Sequence, residues 1–595
     1  MSHQQPTGFS RRRLMAGAAA GTALAVTGQL AASATAEAAA PAGGHATGDA
    51  PRQVAGRKGL FLPKNPPTRA VLVYDVSQDI AAQDWEAKEA LLASVALQGL
   101  INRTGSVKVY FTHTPQEHYW KPFAADVAAL EDGLIPAGHS TPRLDRSKKY
   151  PVLSHLAATY LNGHTKGAVR YPALSDKVVD GAVTAAVTAA GQLDLVPLSP
   201  AVEAYLKAEG HRITVREDTT TLSDNVVAYH WAKDRFLGEH TNRSFVGQHS
   251  FTAFGGGVDD QVPVLYDYFV SHRAFVFSLD ANDPEQAALI PDLLNPGNFP
   301  VGTPVIGLPV DEGAGLRAMQ EAGYFFTIAN TPNTTVTSSF EARPAPVPAA
   351  RPAKPRTDGV YVAFYATDGD SVGFSTNYHY EWWRKAGKNP VPIAWSFNPQ
   401  LVDLYPTMLR WRSRHNAGGA YELVADFNDG GAPVPQDART AWSDRFRAYL
   451  DEAGSALRTV NYFYLEGTEG GDQVSEAVGR DLVLRKYCGV VPGDARTGAY
   501  TLRDGALLTI DLQGRTQADA TVENIEAAVR EAVAATPEGE PCFAAVCVGD
   551  GRFQDIPANV ATVAEALLAQ PDGRHVEFVT PSVLAATWRA HHDRD

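Results

Sequence analysis

From residue 357 to the end of the chain, short apolar runs alternate with helix-like segments. No other feature of the sequence restricts the possible folds as much as this alternation. Strands that are apolar on both faces and separated by helices are typical of a parallel sheet covered by helices on both sides. The predicted strands are residues 360–367, 391–397, 421–427, 459–465, 506–512, 542–548 and 575–580. The predicted helices between and after them are residues 399–414, 436–453, 471–487, 517–535, 557–570 and 581–592. We therefore predict an α/β fold whose C-terminal domain is barrel-like, with seven or eight strands in a complete or incomplete β/α barrel.

The first half of the chain contains shorter strand–helix–strand units. The sequence predicts a strand at residues 70–76, a helix at 85–102 and a second strand at 107–112. Similar units continue to residue 330. No glycine-rich phosphate-binding fingerprint follows these strands, so the sequence does not predict nucleotide binding. The predicted organisation is a signal peptide at 1–40, a disordered segment at 41–66, α/β domains at 67–145, 146–220 and 221–340, a proline-rich linker at 341–356 and the C-terminal domain at 357–595.

The N-terminus has the pattern of an export signal. Arg11 and Arg12 lie in a twin-arginine-like motif, and a run rich in alanine, glycine and leucine follows to about Leu30. Small-residue cleavage options come next, so we predict that residues 1–40 are removed and that the protein is secreted to the extracellular space. No later apolar run reaches the roughly 18 residues that a membrane span needs, so no span is predicted in the mature chain.

Charge and cysteine usage exclude some partners and cofactors. The formal net charge of −14 disfavours nucleic acid, because binding to nucleic acid requires a basic surface. The three cysteines, Cys488, Cys542 and Cys547, lack the spacing of a zinc site. We therefore predict no cofactor, with one exception left open, which is a divalent metal ion at Asp368 and Asp370.

Asp368 and Asp370 directly follow the first predicted strand of the C-terminal domain, in Y-V-A-F-Y-A-T-D-G-D-S. Alternate residues of an extended chain point the same way, which would place the two carboxylates about 6–7 Å apart. That separation suits an inverting pair of acids, and a metal ion could also bind there. The alternative is a turn in which the aspartates only cap the next helix.

Other predicted strands of this domain also end in polar side chains. Because ligands bind at the carboxyl ends of strands in such folds, we expect these side chains to share one rim. The further candidates for catalytic carboxylates are Asp426, Asp429 and Glu466, and those for substrate binding are Trp395, Asn398, Asn428, Asp511 and Asp550. Acids, amides and aromatic rings together are suited to a carbohydrate, since acids cleave the bond, amides bind hydroxyls and rings stack on the sugar.

Several motifs are similar to those of the GxGYxYP family, a group regarded as glycoside hydrolases. The residues L-Q-G-L-I-N-R at Leu97–Arg103 resemble the family's first segment, and we expect them to serve packing rather than chemistry. The residues T-D-G-D-S at 367–371 and P-I-A-W-S-F-N-P-Q-L at 392–401 resemble later segments. The naming motif would fall at Asp429–Pro435, where only its second glycine and final proline match, so the roles of its tyrosines do not transfer. The resemblance implies a carbohydrate substrate and no catalytic assignment.

The leading interpretation is a secreted carbohydrate-active enzyme, a glycoside hydrolase with its site at the strand ends of the C-terminal domain. One alternative is a polysaccharide deacetylase-like metal enzyme, which would need a histidine and aspartate cluster. The other is a non-catalytic protein that binds glycan or cell wall, which would present aromatic rings without paired acids. Facing carboxylates in one pocket would favour the hydrolase.

Overall fold

Four sheets carry the described part of the chain, and three of them precede the proline-rich segment. The protein is represented by a computed structural model, which describes residues 61–82, 84–113, 128–238, 241–250, 265–329, 331–341, 344–347, 351–366, 369, 371–386, 391–415, 421–426, 433–457, 459–462, 490–492, 500–503, 507–510, 521–548, 555–569 and 574–592. Within these ranges no helix is long and apolar enough to cross a membrane. The predicted α/β class is confirmed, because helices and parallel strands alternate along most of this length.

The three N-terminal sheets are small and entirely parallel. Their strand orders are β2-β1-β3, β5-β4-β6 and β10-β9-β7-β8. The strands are β1 (Ala70–Asp75), β2 (Val107–Thr112), β3 (Gly138–Ser140), β4 (Ala168–Arg170), β5 (Val196–Leu198), β6 (Val215–Asp218), β7 (Val246–Gln248), β8 (Val276–Phe277), β9 (Pro304–Gly307) and β10 (Phe325–Ile328). Each sheet lies within one of the predicted domains, while the domain boundaries themselves stay a prediction.

The helices of this half connect the strands and cover the sheets. They are α1 (Trp85–Asn102), α2 (Pro151–His164), α3 (Asp180–Leu193), α4 (Pro200–Ala208), α5 (Asn225–Phe236), α6 (Tyr266–Ser271), α7 (Pro284–Ala287), α8 (Leu289–Leu293), α9 (Glu312–Glu321) and α10 (Thr334–Thr337). Helix α1 begins at its predicted position because the side chain of Asp84 accepts a hydrogen bond from the backbone N–H of Ala87 at 2.8 Å. It is buried along almost its whole length and forms the centre of the N-terminal half.

The motif at Leu97–Arg103 has the packing role that the sequence predicted. Gly99 allows α1 to approach α6 closely, since a Cβ there would overlap the carbonyl oxygen of Asp267. The side-chain amides of Gln98 and Asn102 both donate to the carbonyl oxygen of Val109 in β2, at 3.0 and 2.9 Å. The motif therefore fixes α1 against its sheet and against α6.

The C-terminal sheet contains nine described strands in the order β16-β17-β15-β14-β13-β12-β11-β18, with β19 also paired to β11. All pairs are parallel except β16 with β17. The strands are β11 (Gly359–Ala366), β12 (Ile393–Phe397), β13 (Tyr421–Asp426), β14 (Thr459–Tyr462), β15 (Val490–Pro492), β16 (Tyr500–Arg503), β17 (Leu507–Ile510), β18 (Cys542–Cys547) and β19 (His575–Phe578). All seven predicted strands are present, and the sequence missed β15 and β16.

The predicted barrel is not confirmed. Strand β18 pairs with β11 along Val360–Tyr365, and the opposite edge of β11 is shared by β19 at its start and β12 at its end. The described strand order thus ends at β16 and at β18, which are not paired with each other. The described strands form an open sheet, because closure would require a hydrogen-bonded ladder between the two end strands.

Two helices between β11 and β12 were not predicted, and two others have their predicted bounds. The helices of this half are α11 (Val372–Thr376), α12 (Tyr378–Ala386), α13 (Leu401–Leu404), α14 (Pro406–His415), α15 (Gln436–Ala453), α16 (Val522–Ala535), α17 (Ile556–Leu568) and α18 (Pro581–His592). Helices α15 and α18 match the predicted 436–453 and 581–592. The helix predicted at 471–487 lies outside the described residues.

Side chains that alternate along β11 enter two different cores. Val362 and Phe364 join the large core, which continues through the N-terminal half. Tyr361 and Ala363 join a small core on the other face of the sheet, where α18 contributes Trp588. Helix α18 therefore covers the second face of the sheet.

The described residues of the predicted linker lie along the C-terminal half and form no helix or strand. The backbone N–H groups of Ala345, Val347 and Ala353 donate to the hydroxyls of Ser413, Ser455 and Thr587, at 2.8, 2.9 and 2.9 Å. These bonds anchor the segment to three helical regions of the C-terminal half.

Candidate active site

Three polar side chains from neighbouring strands meet near the carboxyl end of the C-terminal sheet. Tyr365 in β11 is paired with Ala394, and Ser396 in β12 is paired with Val424, which places Tyr365, Ser396 and Asp426 on the same face. The hydroxyl of Ser396 donates to Oδ2 of Asp426 at 2.8 Å. The hydroxyl of Tyr365 donates to the same oxygen at 3.1 Å. A carboxylate with two donors thus ends β13.

Asp426 is buried, and so are both of its hydroxyl partners. A buried carboxylate is costly unless donors replace the water that it has lost. Hydrogen bonds from two hydroxyls favour the ionised form of a carboxylate, whereas burial favours the neutral form. The two hydroxyls also fix the position of Oδ2, as a general base or a nucleophile requires.

The Asp-Gly-Asp turn reaches this cluster through its central residue. Gly369 lies against the end of β12, so closely that a Cβ on it would overlap the carbonyl oxygen of Ser396 and lie 3.0 Å from the backbone nitrogen of Phe397. The hydroxyl of Ser375 in α11 donates to the carbonyl oxygen of Gly369 at 2.8 Å. Gly369 is thus held between α11 and the strand that carries Ser396, a partner of Asp426.

The structure tests few of the other predicted site residues. Asn398 is buried just after β12, where its Oδ1 accepts from the backbone N–H of Gln400 at 2.8 Å. Trp395 is buried on the face opposite to Ser396, and its ring lies 5.2 Å from that of His379. The structure gives Trp395 a packing role, and its contact with substrate stays a prediction. The predicted residues outside the described part of the chain are Asp368, Asp370, Asn428, Asp429, Glu466, Asp511 and Asp550.

The site residues predicted from the sequence did not include Tyr365 and Ser396, although the sequence contains a signal for both. Each is a polar residue within an otherwise apolar strand, on the face that Asp426 shares by alternation. A second carboxylate on that face, Glu422, was also missed. It accepts from the hydroxyl of Thr459 and from the backbone N–H and hydroxyl of Ser582 at 3.1 and 2.7 Å, and so anchors the start of α18. Its contacts indicate a structural role.

No group of three or more histidine, cysteine, aspartate or glutamate side chains suited to a metal ion occurs among the described residues. The metal ion considered at Asp368 and Asp370 involves residues outside that part of the chain.

The C-terminal region matches a family model. Residues 358–589 match the family model described as "GxGYxYP putative glycoside hydrolase C-terminal domain", which confirms the resemblance seen in the sequence. No curated protein matches the chain.

Two solved structures were matched. A crystal structure of a "putative hydrolase" from Bacteroides thetaiotaomicron VPI-5482 has a TM-score of 0.68 and 15% identity, over 89% of this chain and 96% of that chain. It shows that the two chains share a fold. A "putative polysaccharide deacetylase" from Mycobacterium smegmatis has a TM-score of 0.27 and 14% identity, over 41% of this chain and 96% of that chain. That score is too low to support an argument.

Proposed function

We propose, from the match of residues 358–589 to the GxGYxYP family model, that this protein is a secreted enzyme that hydrolyses glycosidic bonds in a carbohydrate. The observation that carries the proposal is the buried carboxylate of Asp426, which accepts two hydroxyl hydrogen bonds at the carboxyl end of a parallel sheet. That end is where substrates bind in open α/β sheets.

Asp426 is proposed as the ionised member of a carboxylate pair. Glycoside hydrolysis needs one acid to protonate the leaving oxygen and one carboxylate to attack the anomeric carbon or to deprotonate the attacking water. The hydroxyls of Tyr365 and Ser396 donate to Oδ2 of Asp426, and such donors favour the ionised form that the second role requires. Asp368 and Asp370 are the proposed acids, because Gly369 between them contacts the strand of Ser396.

The remaining candidates complete the proposed site. Asp429 and Glu466 are the alternative acids, since each follows closely after the end of a strand of the same sheet. The residues proposed to bind sugar hydroxyls are Asn398, Asn428, Asp511 and Asp550. Amide and carboxylate oxygens accept hydrogen bonds from hydroxyl groups, which are abundant on any carbohydrate.

A glycan screen tests this function. The chain from residue 41 is incubated with a panel of neutral, acidic and acetylated polysaccharides, and new reducing ends and released acetate are measured. We expect reducing ends from at least one glycan, and about 100-fold fewer from the Asp368→Asn/Asp370→Asn double variant. Release of acetate alone would support the deacetylase. Glycan binding without either product would support a binding protein and contradict the hydrolase.

Export by the twin-arginine route is the proposed path out of the cytoplasm. This proposal is based on Arg11 and Arg12, which precede the apolar run as in a twin-arginine signal. We expect the Arg11→Lys/Arg12→Lys variant to remain inside the cell, as measured by immunoblotting of cell and medium fractions, while an Arg57→Lys control is exported normally. Undiminished secretion of the first variant would exclude this route.

A further inference from the structure

Arg412, Trp383 and Trp395 form a contact cluster between β12 and the helices α12 and α14. The guanidinium carbon of Arg412 lies 5.1 Å from the ring centroid of Trp383, whose ring lies 6.0 Å from that of Trp395. The guanidinium also lies 5.6 Å from the ring of Phe397. Arg412 and Trp395 are 0% exposed and Trp383 is 2% exposed. The cluster is therefore part of the interior.

Four donor atoms of the cluster have no acceptor among the described residues. One guanidinium nitrogen of Arg412, Nη2, donates to the carbonyl oxygen of Ser375 at 2.5 Å. Its Nε and Nη1, and the indole Nε1 of both tryptophans, have no acceptor within the part of the chain that the structure describes. Arginine and tryptophan side chains can only donate hydrogen bonds. Buried polar groups in proteins nearly always have a partner, so this cluster calls for an accepting group.

The positive charge of Arg412 lies against two ring faces and has no ion-pair partner among the described residues. No carboxylate among the described residues forms an ion pair with Arg412. Burial lowers the pKa of Arg412 to about 9, which reflects the cost of holding a cation away from water. By contrast the buried Arg445 has Asp403 among the groups that favour its charged form. Arg412 needs a negative charge that does not come from the described protein residues.

We propose that a small inorganic anion of the size of chloride binds Arg412, Trp383 and Trp395. A water molecule would accept hydrogen bonds but would leave the charge of Arg412 unbalanced. A carboxylate of a polymeric substrate does not suit this position, because Trp395 and Phe397 lie on the face of the sheet opposite to Ser396 and Asp426. The anion site is thus separate from the proposed catalytic site and does not depend on it.

The site would be linked to the catalytic turn through one residue. The carbonyl of Ser375 accepts from Arg412, and the hydroxyl of Ser375 donates to the carbonyl oxygen of Gly369. An anion that holds the guanidinium in place would therefore support the position of Gly369 through Ser375.

Thermal unfolding of the whole chain tests the proposal. Calorimetry is run at constant ionic strength while sodium gluconate, whose anion is much larger than chloride, is replaced by sodium chloride. An anion that binds only the folded state raises the melting temperature, by about 2 °C at 100 times its Kd for a chain of this length. We expect this rise for the wild type and for Arg410→Met, a control on the same helix. Arg412→Met should show no rise.

A second measurement covers the case in which Arg412→Met does not fold. Crystals of the wild-type protein are soaked in sodium bromide, and the anomalous signal of bromine is mapped. We expect a peak within hydrogen-bonding distance of Arg412. Three outcomes would each overturn the proposal. The map could show bromide peaks only elsewhere, or the melting temperature of the wild type could stay the same in chloride. The melting temperature of folded Arg412→Met could also rise as much as that of the wild type.

Discussion

Replacing Asp426 by asparagine is expected to lower kcat by about 100-fold or more on any glycan that the wild type cleaves. An amide oxygen has two lone pairs and can still accept from both hydroxyls, so Tyr365 and Ser396 keep a partner and the fold is retained. The amide has no negative charge, however, and can neither attack the anomeric carbon nor take a proton from water. Reducing-end release and the melting temperature are measured on the same preparation.

Asp403 provides a matched control for that substitution. It is also a buried aspartate whose Oδ2 accepts from a tyrosine hydroxyl, that of Tyr449 at 2.7 Å, and from the backbone N–H of Leu62 at 2.9 Å. Burial raises the pKa of Asp403, yet the residue holds the N-terminal segment and does not lie at a strand end. We expect Asp403→Asn to lower the melting temperature and to leave kcat unchanged. An Asp426→Asn variant with the same outcome would remove Asp426 from the catalytic site.

The sequence predicted the C-terminal strands well because their signal is local. A continuous apolar run between polar turns marks β11 and β18 without information from elsewhere in the chain. Strand order has no such signal. The pairing of β11 with β18 and β19 joins residues that are far apart in sequence, so periodicity could not distinguish an open sheet from a barrel.

The sequence predicted the polar residue of the candidate site that ends a strand. It missed the two that lie one residue before the end of a strand. Asp426 is the last residue of β13 and was found by that rule. Tyr365 and Ser396 precede the ends of their strands, where a tyrosine or serine is an ordinary core residue. Their role follows only from the register that places them beside Asp426.

The helices after β11 show a different reason why the sequence did not predict part of the structure. Residues Tyr378–Ala386 contain two tyrosines and two tryptophans, which have weaker helix propensity than alanine or leucine. Packing determines the helix instead, since Trp383 lies against Arg412 and Tyr421 in the core. Tertiary contacts thus overrode the local preference of the chain.

Replacing Gly369 by alanine is expected to destabilise the C-terminal half and to lower the rate of hydrolysis by about 100-fold. The added Cβ would overlap the carbonyl oxygen of Ser396, which belongs to the backbone of β12 and cannot rotate away. Such overpacking costs about 1–3 kcal/mol in the free energy of unfolding, and sometimes more. A turn displaced by about 1 Å would also lose about 100-fold in rate, because catalysis depends on the position of the acids.

Gly163→Ala is the control for this substitution. Gly163 lies in helix α2, and a Cβ there would have no atom within 4 Å. We expect that variant to be as stable as the wild type or more stable by about 0.5–1 kcal/mol, since alanine is the better helix former. Denaturant unfolding and reducing-end release are measured on both variants. Wild-type stability and rate in Gly369→Ala would show that the turn does not lie against β12, and the acids on either side of Gly369 would then lose their structural link to Asp426.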